Sequence, residues 1–316
     1  VSGGVVSFGT SGFIITSSTT GVSSVVELAV PSGTGTDVST ILAIAAGTAD
    51  LLDRTARQIE PGEIGFQIDI LHVDHQPRRA GQRKDVVVHL ADNPARLGTG
   101  IDRPTYVTET LIRAMQSAQV KKLIYTSSIY ARKYEQDGMS QYGAHKVASE
   151  NICASAEDIT SIILRLPPVY GPGGKGGFSM LVKLLKSNLP LPVATAHAPR
   201  DYLSCPNLCD LVATLIAMDD TQWSALSAQK VEPSDGAPVT TAQLTESLQA
   251  MLQSKSIIFP FPQSIIKLCG KLVKKSDMVE GIFGALATQE NPTFDQTVRW
   301  KPIEAMPESL EFLKEN

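Results

Sequence analysis

Tyr142 and Lys146 are the two residues of this sequence whose types and spacing best suit chemistry. They stand four positions apart in the run YGAHK, within a helix predicted over residues 141–154. Side chains at i and i+4 share one face of a helix, about 5–6 Å apart. An ammonium at that distance favours the phenolate form of a tyrosine. The pair therefore predicts a tyrosine that acts as a general base near neutral pH.

Two serines add a second chemical group upstream of this pair. Ser127 and Ser128 end a predicted strand, fourteen residues before Tyr142. Ligands of parallel α/β sheets bind at the carboxyl ends of the strands. A hydroxyl at that edge can hydrogen-bond a reacting oxygen and hold it against Tyr142. A tyrosine and a lysine at this spacing also occur by chance, and the serine-ended strand makes the catalytic interpretation the better one.

The strands and helices that would position these residues alternate along the first half of the chain. Short runs rich in β-branched residues predict strands at 5–8, 25–30, 85–90, 122–126 and 161–165. Such nearly continuous apolar runs are typical of strands covered on both faces. Apolar residues at helical spacing predict helices over 106–118 and 141–154. We therefore expect an α/β fold with a doubly wound, Rossmann-like parallel sheet.

The character of the sequence changes near residue 170, where prolines and glycines cluster. Beyond this point the pattern predicts a helix over 178–186, a proline-rich strand over 189–193, and then short helices and loops. We divide the chain into a dinucleotide-binding domain, residues 1–170, and a smaller α/β carboxyl-terminal substrate domain, residues 171–316. Residues 200–220 are expected to return to the first domain.

A glycine-bearing turn follows the first predicted strand. Gly9 and Gly12 match the first two positions of a G-x-x-G-x-x-G turn, which lets the backbone approach a pyrophosphate at the start of a helix. Phe13 and Ile14 would line the same cofactor. Ile15 stands at the third glycine position, and the Ser-, Thr- and Gly-rich run behind it is poor in helix formers. A plain turn without a ligand is the alternative interpretation.

The adenosine end of such a cofactor would lie on the next two strands. The second strand ends in Val30, Pro31 and Ser32, with neither an acid nor an arginine to choose between NAD and NADP. A third strand over 67–70 ends at Asp69 and Ile70, where the carboxylate could accept a hydrogen bond from the adenine amino group. A surface aspartate at a strand end is the alternative interpretation of Asp69.

Composition narrows the classes of function. The 316 residues carry 28 Lys and Arg against 32 Asp and Glu, a net charge of -4, so no basic excess exists to bind nucleic acid. We find no apolar run long enough to span a membrane, and no basic segment followed by an apolar one at the start. The four cysteines are too few and too scattered for a disulfide framework. We therefore expect a cytoplasmic protein that binds neither nucleic acid nor membrane.

Two groups of residues resemble metal ligands only weakly. Cys205 and Cys209 are spaced C-x3-C, without a second Cys or His pair near them in the sequence. His72 and His75 suit a solvated loop better than a metal site. Because a structural zinc site needs four ligands, we expect no bound metal.

Several separate segments, in the same order, resemble the extended short-chain dehydrogenase/reductase family. Within that family the sequence is similar to the NAD-dependent epimerase/dehydratase branch, in particular to members of the UDP-glucose 4-epimerase type. The resemblance covers most of the chain from Asp85 onward. It rests on DVVVHLA at 85–91, YTSS at 125–128, YGAHK at 142–146, RLPPVYGPG at 165–173, RDYLS at 200–204 and VRWKP at 298–302.

This resemblance implies catalytic roles for three matching residues and a substrate contact for a fourth. Ser128 would orient the substrate hydroxyl, with Ser127 assisting it. Tyr142 would be the general base, and Lys146 would bind the nicotinamide ribose and favour the phenolate. Each of these roles agrees with the chemistry predicted above from residue types and spacing.

The resemblance also implies contacts with a cofactor and a substrate. Leu90, Ala91 and Pro167 would lie beside the cofactor, which is NAD, with NADP left open. Phe178 and Arg200 would contact the substrate, and the planar guanidinium of Arg200 suits a nucleotide diphosphate. The implied substrate is a UDP-sugar, and the implied assembly is a homodimer through paired helices, including the helix that bears Tyr142.

The reaction implied by the resemblance is hydride transfer at C4 of the sugar. In an epimerase the 4-keto sugar turns over and takes the hydride back on its other face. In related dehydratases an Asp-Glu pair follows the catalytic hydroxyl, whereas Ile129, Tyr130 and Ala131 follow Ser128 here, which disfavours a dehydratase. A nucleotide-sugar 4-ketoreductase and a non-catalytic binding protein that kept the fold both remain alternatives.

Overall fold

A computed structural model describes residues 86–90 and 105–314, apart from 118, 139, 175, 273–275 and 307, and four short strands nearer the amino end. The early strands are β1 (Val5–Gly9), β2 (Gly12–Thr16), β3 (Val25–Glu27) and β4 (Ala43–Ala45). The later strands are β5 (Val86–His89), β6 (Lys122–Ser128), β7 (Thr160–Leu166), β8 (Val169–Tyr170), β9 (Pro199–Arg200), β10 (Leu203–Ser204), β11 (Lys230–Val231) and β12 (Val239–Thr240).

Helices fill most of the remaining described chain. They are α1 (Tyr106–Ser117), α2 (Ile129–Asp137), α3 (Gln141–Ser155), α4 (Gly177–Lys186), α5 (Cys205–Ala217), α6 (Asp220–Ala225), α7 (Thr241–Met251), α8 (Gln263–Leu272), α9 (Ser276–Phe283), α10 (Pro292–Val298) and a 3-10 helix, Glu308–Lys314. Within the described residues, no helix combines the length and the apolar character that crossing a bilayer requires.

In the described part of the chain, the central sheet has four parallel strands in the order β11-β7-β6-β5. Along β6 the side chains of Leu123 and Tyr125 enter one hydrophobic cluster, whereas Ile124 enters another. Successive strand residues point to opposite faces, so both faces of this sheet are covered. The expected doubly wound, Rossmann-like sheet is confirmed for this part of the chain.

Each face of the sheet packs against its own helices. On one face Leu111 and Met115 of α1 and Cys153 of α3 contact the strands. On the other face Leu211 of α5 and Trp223 of α6 do so. After residue 200 the chain thus packs against the sheet again, because the apolar stripe of α5 is covered by the strands.

A third hydrophobic cluster is built from residues 170–313 and lies apart from the sheet. Its buried members include side chains from α4, α7, α9 and the 3-10 helix: Phe178, Val182, Leu185, Leu244, Leu248, Phe283, Leu310 and Leu313. The strand expected at 189–193 is reduced to a single bridge between Leu191 and Ile258. The prolines at 190 and 192 explain this, since proline cannot donate to a strand ladder.

The amino-terminal strands differ from the expectation. β1 pairs antiparallel with β2, with Gly9 opposite Gly12, and β3 and β4 extend the same antiparallel sheet. Thus the predicted turn into a helix at Gly9, Gly12, Phe13 and Ile14 is wrong, and these residues form a hairpin. The physical reason is that aromatic and β-branched residues favour strands, while the Ser-, Thr- and Gly-rich run behind them does not favour a helix.

Some predicted residues lie outside the described part of the chain. These are Asp69, Ile70, His72, His75 and Ala91. The cofactor contacts expected of Asp69, Ile70 and Ala91 therefore stay predictions.

Candidate active site

The site begins where β6 ends. Ser128 is the last residue of β6 and the N-cap of α2, and its Oγ accepts a hydrogen bond from the backbone N–H of Tyr130. Capping fixes the side chain, because the hydroxyl satisfies a free N–H of the first helical turn. The Ser128 hydroxyl is thus held at the carboxyl edge of the sheet, where the sequence placed it.

The helix α3 brings two further functional groups to this edge. Its N-cap is Ser140, whose Oγ accepts from the backbone N–H of Gly143. Tyr142 lies in the first turn and is 43% exposed, while Lys146, one turn later, is 4% exposed. An exposed phenol beside a buried ammonium leaves the phenol open to a substrate.

Lys146 is fixed by contacts with β6. Its Nζ donates to the backbone carbonyl of Thr126 across 3.1 Å. The same Nζ lies 5.2 Å from the centre of the Tyr125 ring and 5.8 Å from that of the Tyr142 ring. The structure therefore brings Lys146 and Tyr142 together, as their spacing predicted, and ties both to the strand that carries Ser128.

Tyr130 is a neighbour of the site that the sequence reasoning did not identify. Its ring meets that of Tyr142 edge to face, with centroids 6.3 Å apart. Edge-to-face contact is a favoured arrangement of two aromatic rings. The one sequence signal for Tyr130 was that it stands two residues after Ser128.

Ser127 points away from the site. Its buried Oγ donates to Glu150 Oε1 at 2.5 Å. Because a hydroxyl has one proton to donate and adjacent strand residues face opposite sides, Ser127 and Ser128 do not act on the same ligand. The expectation that Ser127 assists in substrate contact is thereby corrected.

Glu150 itself belongs to a charged network that the sequence did not reveal. Arg165, at the end of β7, donates from Nε and from its terminal nitrogen to the two Glu150 oxygens at 2.9 and 2.6 Å. The same guanidinium lies 2.8 Å from Glu135 of α2, and Lys230 of β11 also pairs with Glu135. Glu150 is fully buried, and a buried carboxylate requires such partners.

The network changes the titration of two of its members. The hydrogen bond from Arg165 lowers the pKa of Glu135 to about 2, with burial opposing and Lys230 adding to the effect. Burial by itself would lower the pKa of Arg165, but hydrogen bonds to Glu150 and Glu135 outweigh burial and raise it. The paired charged forms are therefore the stable ones at neutral pH.

The residues at this edge fit the nicotinamide end of a dinucleotide. The Lys146 ammonium lies beside the Tyr142 ring, and Pro167 is buried directly after β7. Leu90, which follows β5, packs partly buried against the sheet cluster. Gly9 and Gly12, expected at the pyrophosphate end, lie opposite each other in paired antiparallel strands.

Arg200 is buried rather than open. One terminal nitrogen donates to the carbonyl of Gly284 at 2.5 Å and lies 3.5 Å from that of Glu280, so the guanidinium binds the carboxyl end of α9. Its Nε has no hydrogen-bond partner among the described residues. Nearby, burial raises the pKa of Tyr202, an effect that Arg200 opposes.

Phe178 belongs to the core. Its ring stacks on Tyr170 with centroids 5.0 Å apart and is 9% exposed. The substrate contact expected of Phe178 is therefore not supported, since an apolar ring at the start of an amphipathic helix gains more from burial.

The cysteine pair lies on α5 beside this region. Burial raises the pKa of Cys205 and of Cys209 to about 12. Gly171 approaches Cys205 so closely that an added Cβ would lie 2.8 Å from the Cys205 Sγ. The two thiols are therefore packing groups, held in their protonated form.

These groups together can move a proton at an alcohol or carbonyl. Tyr142 offers a phenol to solvent, Lys146 supplies a fixed positive charge, and Ser128 supplies a hydroxyl at the same edge. A base, a cation beside it and a hydrogen bond to the reacting oxygen serve the proton-transfer part of alcohol oxidation and carbonyl reduction, in which a cofactor would take or supply the hydride.

The chain matches a known family and a characterised relative. The model of the NAD dependent epimerase/dehydratase family matches residues 40–224. A UDP-glucose 4-epimerase of Vibrio cholerae is 31% identical over 219 residues, which cover 64% of this chain. The matched region spans 65% of the length of that relative, somewhat under two thirds.

Solved structures of other proteins superpose on this chain. The Bordetella bronchiseptica enzyme WbmG, in complex with NAD and UDP, superposes with a TM-score of 0.53 and 14% identity, over 72% of this chain and 71% of that one. The UDP-glucose 4-epimerase of Thermotoga maritima, with UDP-glucose, gives a TM-score of 0.53 and 17% identity, over 73% and 77%. At such identities these likenesses establish the fold alone.

Proposed function

This chain belongs to the NAD-dependent epimerase/dehydratase family, and on that premise we propose that it is a nucleotide-sugar 4-epimerase acting on a UDP-hexose. The observation that carries the proposal is that Lys146 lies beside the Tyr142 ring and donates to Thr126, on the strand that ends at Ser128. The relative from Vibrio cholerae, a UDP-glucose 4-epimerase, supports the choice of sugar and nucleotide.

NAD is the cofactor of the family, and when bound it supplies the acceptor and donor of hydride at C4. Lys146 and Pro167 would hold its nicotinamide end, as the fit at the edge of the sheet indicates. Leu90 stays a proposed neighbour of the same group.

Tyr142 performs the proton transfer in this proposal. Its phenolate takes the proton from the C4 hydroxyl and returns it to the same oxygen after the keto sugar has turned over. The ammonium of Lys146, fixed by Thr126, places a positive charge beside this phenol. The Ser128 hydroxyl donates to the C4 oxygen, orienting it toward Tyr142 and bearing part of its negative charge.

The remaining substrate contact in this proposal comes from Arg200. Its Nε is buried without a partner among the described residues, so binding of a nucleotide diphosphate there requires the guanidinium to move from the α9 carbonyls toward the substrate. We keep the proposed division at residue 170, with the nucleotide half before it and the substrate half after it. The separate hydrophobic cluster of residues 170–313 supports that division.

The test uses the full-length purified chain with NAD and UDP-glucose. We expect UDP-galactose to accumulate to an equilibrium mixture, followed by NMR of the anomeric protons. Tyr142→Phe should lower the rate by about 10²–10⁴-fold, because it removes the general base, while circular dichroism stays unchanged. The matched control, Tyr134→Phe, alters a phenol of the preceding helix and should keep the rate within about twofold.

Two outcomes would overturn the proposal. One is a Tyr142→Phe variant with the wild-type rate, which would show that another group is the base. The other is a wild-type chain that leaves UDP-glucose unchanged but reduces a 4-keto nucleotide sugar with NADH or NADPH. That result would establish the 4-ketoreductase instead.

A further inference from the structure

The network around Glu150 lies on the same helix face as the catalytic pair. Tyr142, Lys146 and Glu150 occupy positions i, i+4 and i+8 of α3. At about 1.5 Å of rise per residue, Glu150 lies about 6 Å along the axis from Lys146 and about 12 Å from Tyr142. A full negative charge therefore sits one turn beyond the ammonium, on the side away from the phenol.

An uncompensated charge at that place would act on the phenol. A carboxylate one turn from a lysine is a natural partner for it and would draw the ammonium away from Tyr142. At about 12 Å, in a medium of effective dielectric constant about 20, one negative charge also shifts the ionisation of a phenol by about one pH unit. The structure therefore needs a cation to neutralise Glu150.

Arg165 provides that cation from a neighbouring strand. The Arg165 Nε and one terminal nitrogen donate to the two Glu150 oxygens, and the other terminal nitrogen pairs with Glu135. The groups that face Glu150 from the packed elements are Ser127 of β6, Arg165 of β7 and Lys230 of β11, which lies 3.5 Å away. With Glu135, the network holds two cations and two anions, so its net charge is zero.

We propose that Arg165 is a positioning residue for the reaction: by neutralising Glu150 it reserves the charge of Lys146 for Tyr142. This inference rests on the proposed function. It assigns a role in catalysis to a residue that touches neither substrate nor phenol. Among the described residues, the groups seen to face Tyr142 are Lys146 and, from α2, Tyr130.

Because the network is neutral, variants that leave it with opposite net charges should have opposite effects. Arg165→Met leaves the network with a charge of -1, and Glu150→Gln leaves it with +1, while the amide oxygen can still accept from Ser127. The double variant returns the charge to zero. We measure the pH profile of kcat/KM for UDP-glucose epimerisation, in which activity rises with pH as the base loses its proton.

We expect the two single variants to move the profile in opposite directions. The lower half-maximal pH should rise by about one unit in Arg165→Met and fall by up to about one unit in Glu150→Gln. The double variant should return to the wild-type midpoint, even where its kcat is lower. A control, Lys122→Met, breaks an ion pair with Asp220 at the opposite end of β6 and should not move the midpoint.

A role in stability alone would give a different pattern. Activity would then fall in every variant with the midpoints unchanged, and that result would overturn the proposal. Unpairing a buried charge is costly, so Arg165→Met could fail to fold. In that case Glu150→Gln and Arg165→Lys provide the test. Glu150→Gln should lower the midpoint of the pH profile. Arg165→Lys keeps the charge and should leave the midpoint unchanged.

A second measurement separates this inference from the proposed function. The ultraviolet absorbance of phenolate is followed against pH in each variant, with the same variant carrying Tyr142→Phe subtracted. The midpoint of this difference signal should shift with the signs given above, whether or not the chain epimerises UDP-glucose. Missing turnover with shifted midpoints would overturn the proposed function alone, whereas unshifted midpoints would overturn the role of Arg165.

Discussion

The ammonium of Lys146 donates to the backbone carbonyl of Thr126 across 3.1 Å. This bond joins the helix that bears the phenol to the strand that ends in Ser128. A lysine side chain loses much rotational freedom when it is fixed. Here that fixation places a charge beside Tyr142, and it makes Lys146 the first residue to test.

Lys146→Met should lower kcat/KM for UDP-glucose by about 10²–10⁴-fold. The variant keeps a side chain of similar length, but the cation that favours the phenolate is gone. Steady-state kinetics provide the measurement. Lys121→Met, which removes an exposed charge just before β6, is the control and should stay within about twofold of wild type. A Lys146→Met variant as fast as wild type would contradict the role of the ammonium.

Gly143→Ala should destabilise the fold and slow the reaction. An added Cβ would lie 2.3 Å from the carbonyl oxygen of Tyr130 and 2.9 Å from Tyr134 Cβ, so α3 must move away from α2. Overpacking of this kind costs about 1–3 kcal/mol. Urea unfolding measures the loss, and the displacement of the adjacent Tyr142 should appear as a lower kcat.

The control for this change is Gly281→Ala on α9. Nothing lies within 4 Å of the Cβ that it would add. Because alanine is the better helix former, this variant should gain about 0.5–1 kcal/mol or stay neutral. Equal losses in the two variants would show that the close approach at Gly143 is not the cause.

Glu135→Gln should lower stability at neutral pH but not in acid. The pKa of Glu135 is about 2 in the fold, below its ordinary 4.5, chiefly because Arg165 donates to it. Its contribution is therefore complete above about pH 4.5 and disappears as the pH falls through 2. The carboxylate is 37% exposed, so solvent screening keeps the effect small.

The measurement is the free energy of unfolding in urea at a series of pH values. The difference between wild type and Glu135→Gln should be largest at neutral pH and shrink toward zero near pH 2. The exposed pair of Glu311 and Lys314 offers a control, since Glu311→Gln should change stability by less than about 1 kcal/mol throughout. A Glu135→Gln deficit that grows in acid would contradict the assignment.

Asp235→Asn should remove the change in stability with pH that the Asp235 carboxyl causes above pH 3.8. Burial raises the pKa of Asp235 above its ordinary 3.8, although Asn207, Ser204 and Tyr170 all donate to it. A raised pKa means that the carboxyl contributes most below 3.8 and that this contribution is lost as the pH rises through the higher value. The asparagine variant lacks this titration.

Unfolding in urea across the acid range again provides the check. The free energy of wild type minus that of Asp235→Asn should fall as the pH rises from below 3.8. A difference that increases with pH would show that the Asp235 carboxylate is stabilised in the fold rather than penalised by burial.

Cys205 and Cys209 should resist alkylation in the native protein. With each pKa raised to about 12, the thiolate fraction at pH 8 is small, and reaction with iodoacetamide should be about a thousandfold slower than for a free thiol. Mass spectrometry of the α5 peptide measures this rate. Both residues should react promptly in urea, and fast labelling of the native protein would contradict the raised pKa values.

Much of the fold could be predicted because its signals are local. The β-branched runs at 85–90, 122–126 and 161–165 lie in the parallel strands β5, β6 and β7, and the helix predicted over 141–154 is α3 within one residue. Strand and helix periodicities depend on nearest neighbours along the chain. At β1 and β2 the same reasoning failed, because a strand followed by a glycine turn suits a hairpin as well as a strand-helix unit.

The sequence by itself determined that Tyr142 and Lys146 share a helix face, since a spacing of four residues settles this within one turn. Tertiary structure alone decided that Ser127 turns to Glu150, that Arg165 neutralises Glu150 and that Phe178 enters the core. The partners in these contacts stand eight or more positions apart in the chain and meet only when strands and helices pack. No local sequence pattern predicts these contacts, because burial and charge pairing depend on residues that other strands and helices place nearby.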